Sequence, residues 1–475
     1  MVFSTPLFLF YFFPVTLGLY AIVPRGRIFW KNLVLLLCSL FFYAWGEPTY
    51  VLLMLFSIAM DYGLGLWLER EKTRRGGRPK RVLVLAVALN LLLLGFFKYA
   101  DFLIGTVNAL TGANLPLLHL PLPIGISFYT FQAMSYIVDL YRGDVEVQRD
   151  IVSFGTYVSL FPQLIAGPIV RMRTVAGELR CREENFDEFG AGVRRFAAGL
   201  CKKVLLANTV GQVWESISAM EAADMPVLTA WLGLLAFTFQ IYFDFSGYSD
   251  MAIGLGRMFG FHFLENFDYP YISRSITEFW RRWHMSLSSW FKEYVYIPLG
   301  GNRHGLLRQI RNILIVWLLT GVWHGAGWNF VAWGLYFGVI LILEKLFLLR
   351  LLDRLPRFFR HVYALLLIVL GWAIFAFDSL GDGLGLIRAL FGGYGQALWD
   401  SRSLYLLYSN ALLLALLILG STPLPKKLFD WASAKLLERP ALAGAGEMLL
   451  VGGGMVLSVA FLVDASYNPF LYFRF

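Results

Sequence analysis

The sequence is poor in cysteine and in charge. Its three cysteines, Cys38, Cys181 and Cys201, lie far apart without metal-ligand spacing, which argues against a disulfide framework and a zinc site. Only 15% of the 475 residues are charged, whereas 58% are hydrophobic. Many apolar runs approach the roughly 20 residues that cross a hydrocarbon core about 30 Å thick. The chain is therefore predicted to be an all-α polytopic membrane protein, because membrane helices satisfy their own backbone hydrogen bonds.

Several motifs are also missing. No G-x-S-x-G elbow occurs, which argues against a serine acyl-enzyme. No Walker A motif occurs either. We find no internal repeat of the kind that many transporters show, although a transporter stays the alternative to an enzyme. The net charge of +9 is assigned to cytoplasmic loops and not to nucleic-acid binding.

Apolar segments predict 11 to 13 membrane helices, some of them re-entrant. The segments are 6–23, 32–46, 50–68, 82–98, 121–140, 150–167, 196–211, 227–243, 308–324, 328–348, 361–377, 404–420 and 447–463. The first is predicted to be a retained helix, because no signal-peptide pattern precedes it. Basic loops at 24–31, 69–81 and 171–195 indicate the cytoplasmic side, which places the N-terminus outside. One integral-membrane domain is expected to fill residues 1–475.

The stretch EFWRRWHMSLSSWFKEYVYIPLGG, 278–301, is predicted to form one amphipathic helix. At about 100° per residue it has an aromatic arc and a basic arc, with His284 at their border. Such a helix is typical of a membrane interface, where His284 would be a polar tip. Arg281, Arg282 and Lys292 would form a basic rim suited to donor phosphates or to anionic lipid headgroups.

His324, in the motif LTGVWHGAGWNF, is predicted to lie deep in the membrane. It follows Arg311 by 13 residues, or about 20 Å of helix. Ionisable residues at such depth usually face a cavity and mark a functional site. Gly325 and Gly327 are expected to cap the helix and leave room for a ligand. The alternative is that His324 is a buried structural histidine that forms a hydrogen bond to a carbonyl group.

Other polar residues interrupt the apolar runs and predict a polar chamber around the two histidines. The candidate substrate or tunnel residues are Gln163, Asp244, Ser246, Trp323 and Asn329. Interhelical hydrogen bonding is the alternative for each one. Within such a chamber a histidine base would activate a hydroxyl for attack on a thioester. His284, the Trp323 N–H or a backbone N–H near Gly325 would stabilise the oxyanion.

The motif FWRRWHMSLSSWFKEYVYIPLGGNR, 279–303, precedes GVWHGAGWNF, 321–330, so that the two histidines lie 40 residues apart. This tandem resembles the signature of bacterial membrane-bound O-acyltransferases, in the branch that acetylates alginate. LPIGISFYTFQAMSYIVDLYRG, FPQLIAGPIVR, FDFSGYSDMAIGLGRMFG, NFDYPY and NPFLYFRF fit the same branch. The signature region is about 120–350.

The resemblance implies membrane helices ringed around a central funnel or tunnel, with His324 as the catalytic histidine and His284 as the second family histidine. It implies O-acyl transfer in a bacterial inner membrane, from cytoplasmic acetyl-CoA to an exported polysaccharide, alginate-like in the first instance. Cellulose, peptidoglycan or another envelope glycan is the alternative acceptor. A periplasmic acetyltransferase of the SGNH esterase-like type is the expected partner, with direct transfer as the alternative. Neither a bound cofactor nor a metal is expected.

Overall fold

Helices form the regular structure of the described chain. The computed structural model describes residues 1–435, 440–464 and 467–471, and no β-strand occurs among them. The predicted all-α class is therefore confirmed. The last four residues of the motif NPFLYFRF, 472–475, lie outside the described residues.

The chain folds as two compact units. The first comprises Met1–Phe196 and Tyr248–Leu264, and the second comprises Ala197–Gly247 and Glu265–Phe475. The helices that begin in the first unit are α1 (Phe13–Ile22), α2 (Ile28–Gly46), α3 (Val51–Thr73), α4 (Pro79–Thr111), α5 (Ile126–Arg142), α6 (Ile151–Ser159), α7 (Phe161–Leu164), α8 (Met172–Arg180) and α9 (Phe186–Cys201). The others are α10 (Thr209–Ser218), α11 (Val227–Met258), α12 (Ile276–Arg282), α13 (Met285–Phe291), α14 (Leu306–His324), α15 (Trp328–Leu343), α16 (Leu349–Leu352), α17 (Arg357–Phe375), α18 (Leu380–Leu390), α19 (Ser401–Ser409), α20 (Ala411–Gly420), α21 (Leu424–Lys435) and α22 (Pro440–Asp464).

Seven helices among the described residues are long and apolar enough to cross a membrane. They are α2, α3, α4, α11, α14, α17 and the part of α22 from Gly444 to Asp464. The pair α19 and α20 adds an eighth if it counts as one span, because it passes the same test despite a bend of 53°. The multi-pass membrane architecture is thus confirmed. The number of 11 to 13 spans and the central funnel stay predictions.

Two glycines of the second unit bring α14 and α15 into backbone contact. A Cβ atom on Gly321 would lie 3.2 Å from the Cα atom of Gly334, and a Cβ atom on Gly334 would lie 3.1 Å from the Cα atom of Gly321. Small residues allow this close approach and so increase the van der Waals contact between membrane helices. The close pairing fixes the turn between the helices, and His324 is the last residue of α14 before that turn.

The helix predicted over 278–301 is interrupted, so that prediction is wrong. α12 ends at Arg282 and α13 begins at Met285, with Trp283 in an extended conformation between them. His284 has a left-handed backbone, with φ of 44°. This conformation is uncommon for residues other than glycine, although histidine adopts it more often than most, and strained backbone of this kind clusters at functional sites.

Hydrogen bonds from a neighbouring segment explain the break between α12 and α13. The backbone N–H of Asp268 donates to the carbonyl of Arg282 at 3.0 Å. The backbone N–H of Met285 donates to the carbonyl of Asn266, also at 3.0 Å. These groups would otherwise continue the helical hydrogen-bond pattern. The tertiary bonds therefore replace the local ones, which periodicity along the sequence does not reveal.

Candidate active site

His324 lies on a narrow apolar cavity of the second unit, with about 30 Å³ of space accessible to a water-sized sphere. Three tryptophans and other large apolar side chains form most of its wall. The lining residues are Ile241, Asp244, Phe245, Trp283, His324, Trp333, Trp372, Phe375, Phe470 and Leu471. Among the described residues, no group of three or more His, Cys, Asp or Glu side chains is arranged to hold a metal ion.

His324 occupies the C-terminal end of α14, as predicted. Gly325 caps this helix in an extended conformation, and its N–H donates to the carbonyl of Gly321 at 3.4 Å. The His324 ring meets the Trp333 and Phe375 rings edge to face, with centroid distances of 5.0 and 5.4 Å. These aromatic contacts hold the imidazole against the cavity wall.

His284 is buried within the second unit, with only 1% of its surface exposed. The interpretation of this residue as a polar tip at the membrane interface is therefore wrong. Burial lowers the pKa of the His284 imidazole to about 3, so the ring is neutral near pH 7.

The tautomer of His284 follows from its contact with Asn266. Nδ1 of His284 lies 3.0 Å from Oδ1 of Asn266. The same Asn266 atom accepts hydrogen bonds from the Ser286 hydroxyl at 2.9 Å and from the Ser286 backbone N–H at 3.3 Å. Because a backbone N–H can only donate, this atom must be the amide oxygen. The neutral ring therefore carries its proton on Nδ1 and its lone pair on Nε2.

The Trp323 ring contacts the rings of both histidines. Its ring centroid is 5.0 Å from that of His324 and 6.1 Å from that of His284. The ring of Phe245 also contacts His284, at 4.7 Å, and lines the cavity beside His324. The fold thus brings both predicted histidines into one aromatic cluster, while Trp323 itself is not among the cavity-lining residues.

Asp244 lines the cavity, but its carboxylate is already engaged. Oδ1 lies 2.7 Å from the ammonium of Lys203. Oδ2 accepts a hydrogen bond from the backbone N–H of Leu471 at 2.9 Å. Both charged side chains are buried, and buried charges persist in proteins when they are paired. Asp244 is therefore an anchor for neighbouring chain segments.

Three other predicted polar residues do not line this cavity. Ser246 is buried on α11. The Asn329 amide donates to the Phe377 carbonyl at 2.7 Å, which ties α15 to the chain after α17. Gln163 belongs to the first unit, where it is buried and donates to the Tyr157 carbonyl. For Asn329 and Gln163 these contacts match the hydrogen-bonding alternative.

The residues of the predicted basic rim differ in their surroundings. Arg281 and Lys292 are exposed. Arg282 is half-buried and forms salt bridges with Asp268 at 2.7 Å and with Glu278 at 3.1 Å. Its charge is thus partly compensated within the protein. A contribution of this rim to donor binding stays a prediction.

Sequence reasoning missed most of the cavity wall. Large apolar residues fit any membrane core, so their type did not single out Trp283, Trp372, Phe470 or Leu471. The indole N–H of each tryptophan could have indicated a site, because a buried N–H usually has a hydrogen-bond partner. Nε1 of Trp333 is buried without a hydrogen-bond partner among the described residues, which leaves a donor beside His324.

Sequence comparison identifies the class of protein to which this site belongs. The family model MBOAT, the membrane-bound O-acyltransferase family, matches residues 37–380, a range that includes both histidines. The chain therefore belongs to the membrane-bound O-acyltransferase family, as the two histidine motifs predicted. It is a multi-pass membrane O-acyltransferase.

Individual relatives act on different glycans according to their names. A probable alginate O-acetylase, AlgI, from Azotobacter vinelandii is 40% identical over the full length of both chains. The probable alginate O-acetylase of Pseudomonas syringae pv. tomato is 44% identical, covering 82% of this chain and 75% of the relative. A peptidoglycan O-acetyltransferase from Helicobacter pylori is 35% identical, covering 84% of this chain and 81% of the relative.

Proposed function

We propose that this protein moves an acetyl group from cytoplasmic acetyl-CoA across the bacterial inner membrane for O-acetylation of an exported, alginate-like polysaccharide. The observation that carries the proposal is the position of His324 on an apolar cavity that could hold a small acyl group. Full-length similarity to a probable alginate O-acetylase supports the choice of acetyl group and acceptor.

In the proposed reaction, His324 is the general base. Its imidazole takes the proton from an acceptor hydroxyl, and the oxygen attacks the thioester carbonyl of acetyl-CoA. The C–O bond forms, the C–S bond breaks, and the proton passes from His324 to the departing thiolate. Water is scarce against an apolar wall, so the acetyl group is transferred and not hydrolysed. General-base catalysis of this kind contributes roughly 10²–10⁴-fold to the rate.

His284 and Trp333 have complementary roles in this proposal. Because Nε2 of His284 carries the lone pair, it accepts a hydrogen bond and helps to orient the acceptor hydroxyl. The indole N–H of Trp333 donates to the oxyanion that develops on the thioester carbonyl. A donor held in place before the reaction stabilises this charge strongly, because no reorganisation is needed.

The proposed orientation places the basic loops at 24–31, 69–81 and 171–195 in the cytoplasm and the N-terminus in the periplasm. Acetyl-CoA then enters from the cytoplasmic side, where Arg281 and Lys292 offer exposed charges for its phosphates. The acetyl group leaves on the opposite side. There the serine of an SGNH esterase-like acetyltransferase supplies the acceptor hydroxyl and takes the acetyl group as an ester, and this enzyme passes the group on to the polysaccharide.

Reconstitution in sealed vesicles of known orientation tests this proposal. Radiolabelled acetyl-CoA is supplied on one face only, with an alginate oligomer and the periplasmic partner on the other. Labelling of the oligomer is expected only when the donor is on the cytoplasmic face. Labelling without the partner would indicate direct transfer, and labelling from a donor on the outer face would contradict the orientation.

Peptidoglycan is the second candidate acceptor. The similarity to the Helicobacter pylori peptidoglycan O-acetyltransferase supports it, since that relative also matches most of this chain. A muropeptide tested in the same vesicles distinguishes the two acceptors. Flux of ligand without acetyl transfer to either glycan would favour a transporter over an enzyme that acts on these substrates.

A further inference from the structure

We propose that Phe470 and Leu471, near the C-terminus, limit the length of the acyl group that this enzyme transfers. Both side chains form part of the wall of the cavity on which His324 lies. The inference rests on the proposed function, because it assumes that the acyl group occupies this cavity while His324 acts.

A buried ion pair holds the backbone on both sides of Phe470. The ammonium of Lys203 donates to the carbonyl of Pro469, and the carboxylate of Asp244 accepts from the N–H of Leu471 at 2.9 Å. The two peptide groups that flank Phe470 are thus bound by side chains that are themselves paired at 2.7 Å. This arrangement fixes the position from which the Phe470 ring enters the cavity wall.

Further hydrogen bonds attach the residues just before Phe470 to the rest of the second unit. The Asn208 amide donates to the Asn468 side-chain oxygen at 3.1 Å, and the Gln240 amide donates to the Tyr467 hydroxyl at 3.4 Å. The segment 467–471 is therefore attached by side chains along its length. Such attachment suits a wall that must exclude longer acyl groups, because a loosely held wall would yield to them.

The size of the cavity makes this role effective. With only about 30 Å³ of space accessible to a water-sized sphere, which the acyl group and the acceptor hydroxyl must share, each additional methylene must displace wall atoms. Replacement of phenylalanine by alanine removes roughly six carbon atoms, whereas hexanoyl exceeds acetyl by four. Discrimination by one methylene in an apolar pocket is typically about 10–200-fold in kcat/KM. A wall residue of this size can therefore determine whether the enzyme transfers a hexanoyl group as well as an acetyl group.

The test compares kcat/KM for acetyl-CoA and hexanoyl-CoA in the full-length protein. For Phe470→Ala we expect the hexanoyl-to-acetyl ratio to rise at least about 10-fold over wild type. Leu471→Ala should raise it to a smaller extent, because less volume is removed. Phe461→Ala is the matched control: it makes the same change on an exposed part of α22 and should leave the ratio unchanged.

The outcomes separate this inference from the proposed function. An unchanged ratio in a folded Phe470→Ala variant that still transfers acetyl would overturn the inference alone. Absence of acetyl transfer by wild-type protein would overturn the proposed function and the inference with it. If Phe470→Ala does not fold, Phe470→Leu keeps part of the side chain. That variant must still raise the ratio, and failure to do so would overturn the inference.

Discussion

Nδ1 of His284 donates a hydrogen bond to the amide oxygen of Asn266 at 3.0 Å, and this contact decides which ring nitrogen can act. With the proton on Nδ1, Nε2 accepts hydrogen bonds and does not donate them. A donor role for His284 at the oxyanion would require the other tautomer and the loss of the Asn266 bond. That loss costs about 1 kcal/mol or more in a buried site. Orientation of the acceptor hydroxyl is therefore the more favourable role.

Replacement of His284 should test this role. His284→Asn keeps an amide oxygen as acceptor, whereas His284→Ala removes it, so we expect the Asn variant to retain at least about 10-fold more acetyl transfer. The measurement is kcat for glycan acetylation with the periplasmic partner present and acetyl-CoA at saturating concentration. Equal activity of wild type and both variants would exclude His284 from the reaction.

The pH dependence of stability provides a separate test of the buried, neutral His284. Its folded pKa of about 3 lies below the unfolded value of about 6.5, so the unfolded state binds the proton more strongly. Above pH 6.5 the titration of His284 does not lower the free energy of unfolding. As the pH drops from 6.5 towards 3, this free energy falls. At pH 5 the loss is about 2 kcal/mol.

His284→Asn removes this titration. The melting temperature of the variant in detergent should therefore fall less between pH 7.5 and pH 5 than that of wild type. Equal falls in the two proteins would show that His284 is not buried in its neutral form.

His324→Ala should abolish most acetyl transfer without preventing folding. The imidazole lies on the cavity wall at the C-terminal end of α14, so its loss removes the base and leaves the packing of α14 against α15 intact. We expect kcat to fall by roughly 10²–10⁴-fold. His304→Ala is the matched control, since His304 is exposed in the turn before α14. Near-normal transfer by His324→Ala would remove His324 from the mechanism.

Trp333→Phe should lower activity while stability is unchanged or increased. The substitution keeps an aromatic ring and removes an N–H that is buried without a partner among the described residues. An unpaired buried donor costs roughly 1–3 kcal/mol, so its removal should not destabilise the fold. If the N–H contacts the oxyanion, kcat should fall by about 10²-fold or more.

Trp280→Phe is the control for this change. The Trp280 indole N–H is also buried without a partner among the described residues, but Trp280 does not line the cavity. Its substitution should leave kcat near the wild-type value. Similar losses of activity in both variants would indicate an effect on packing and not on the oxyanion.

The sequence alone determined the class of the fold and the identity of the family. The length of an apolar run depends only on local composition. The helical, multi-pass architecture could therefore be predicted without knowledge of the tertiary structure. The position of His324 at the end of a helix could be predicted in the same way, because a histidine followed by glycines at the end of an apolar run is a local pattern. The spacing of the two histidine motifs was specific enough to indicate the family that comparison then confirmed.

Only the tertiary structure decided the surroundings and the protonation of these residues. The break before Met285 arises because Asn266 and Asp268 supply backbone hydrogen bonds that a helical periodicity cannot anticipate. The tautomer of His284 depends on a side chain 18 residues away in the sequence, and Asp244 is paired with Lys203, 41 residues away. Phe470 reaches the cavity because that ion pair binds the backbone on each side of it. These features depend on contacts between distant segments, and only the folded chain brings such segments together.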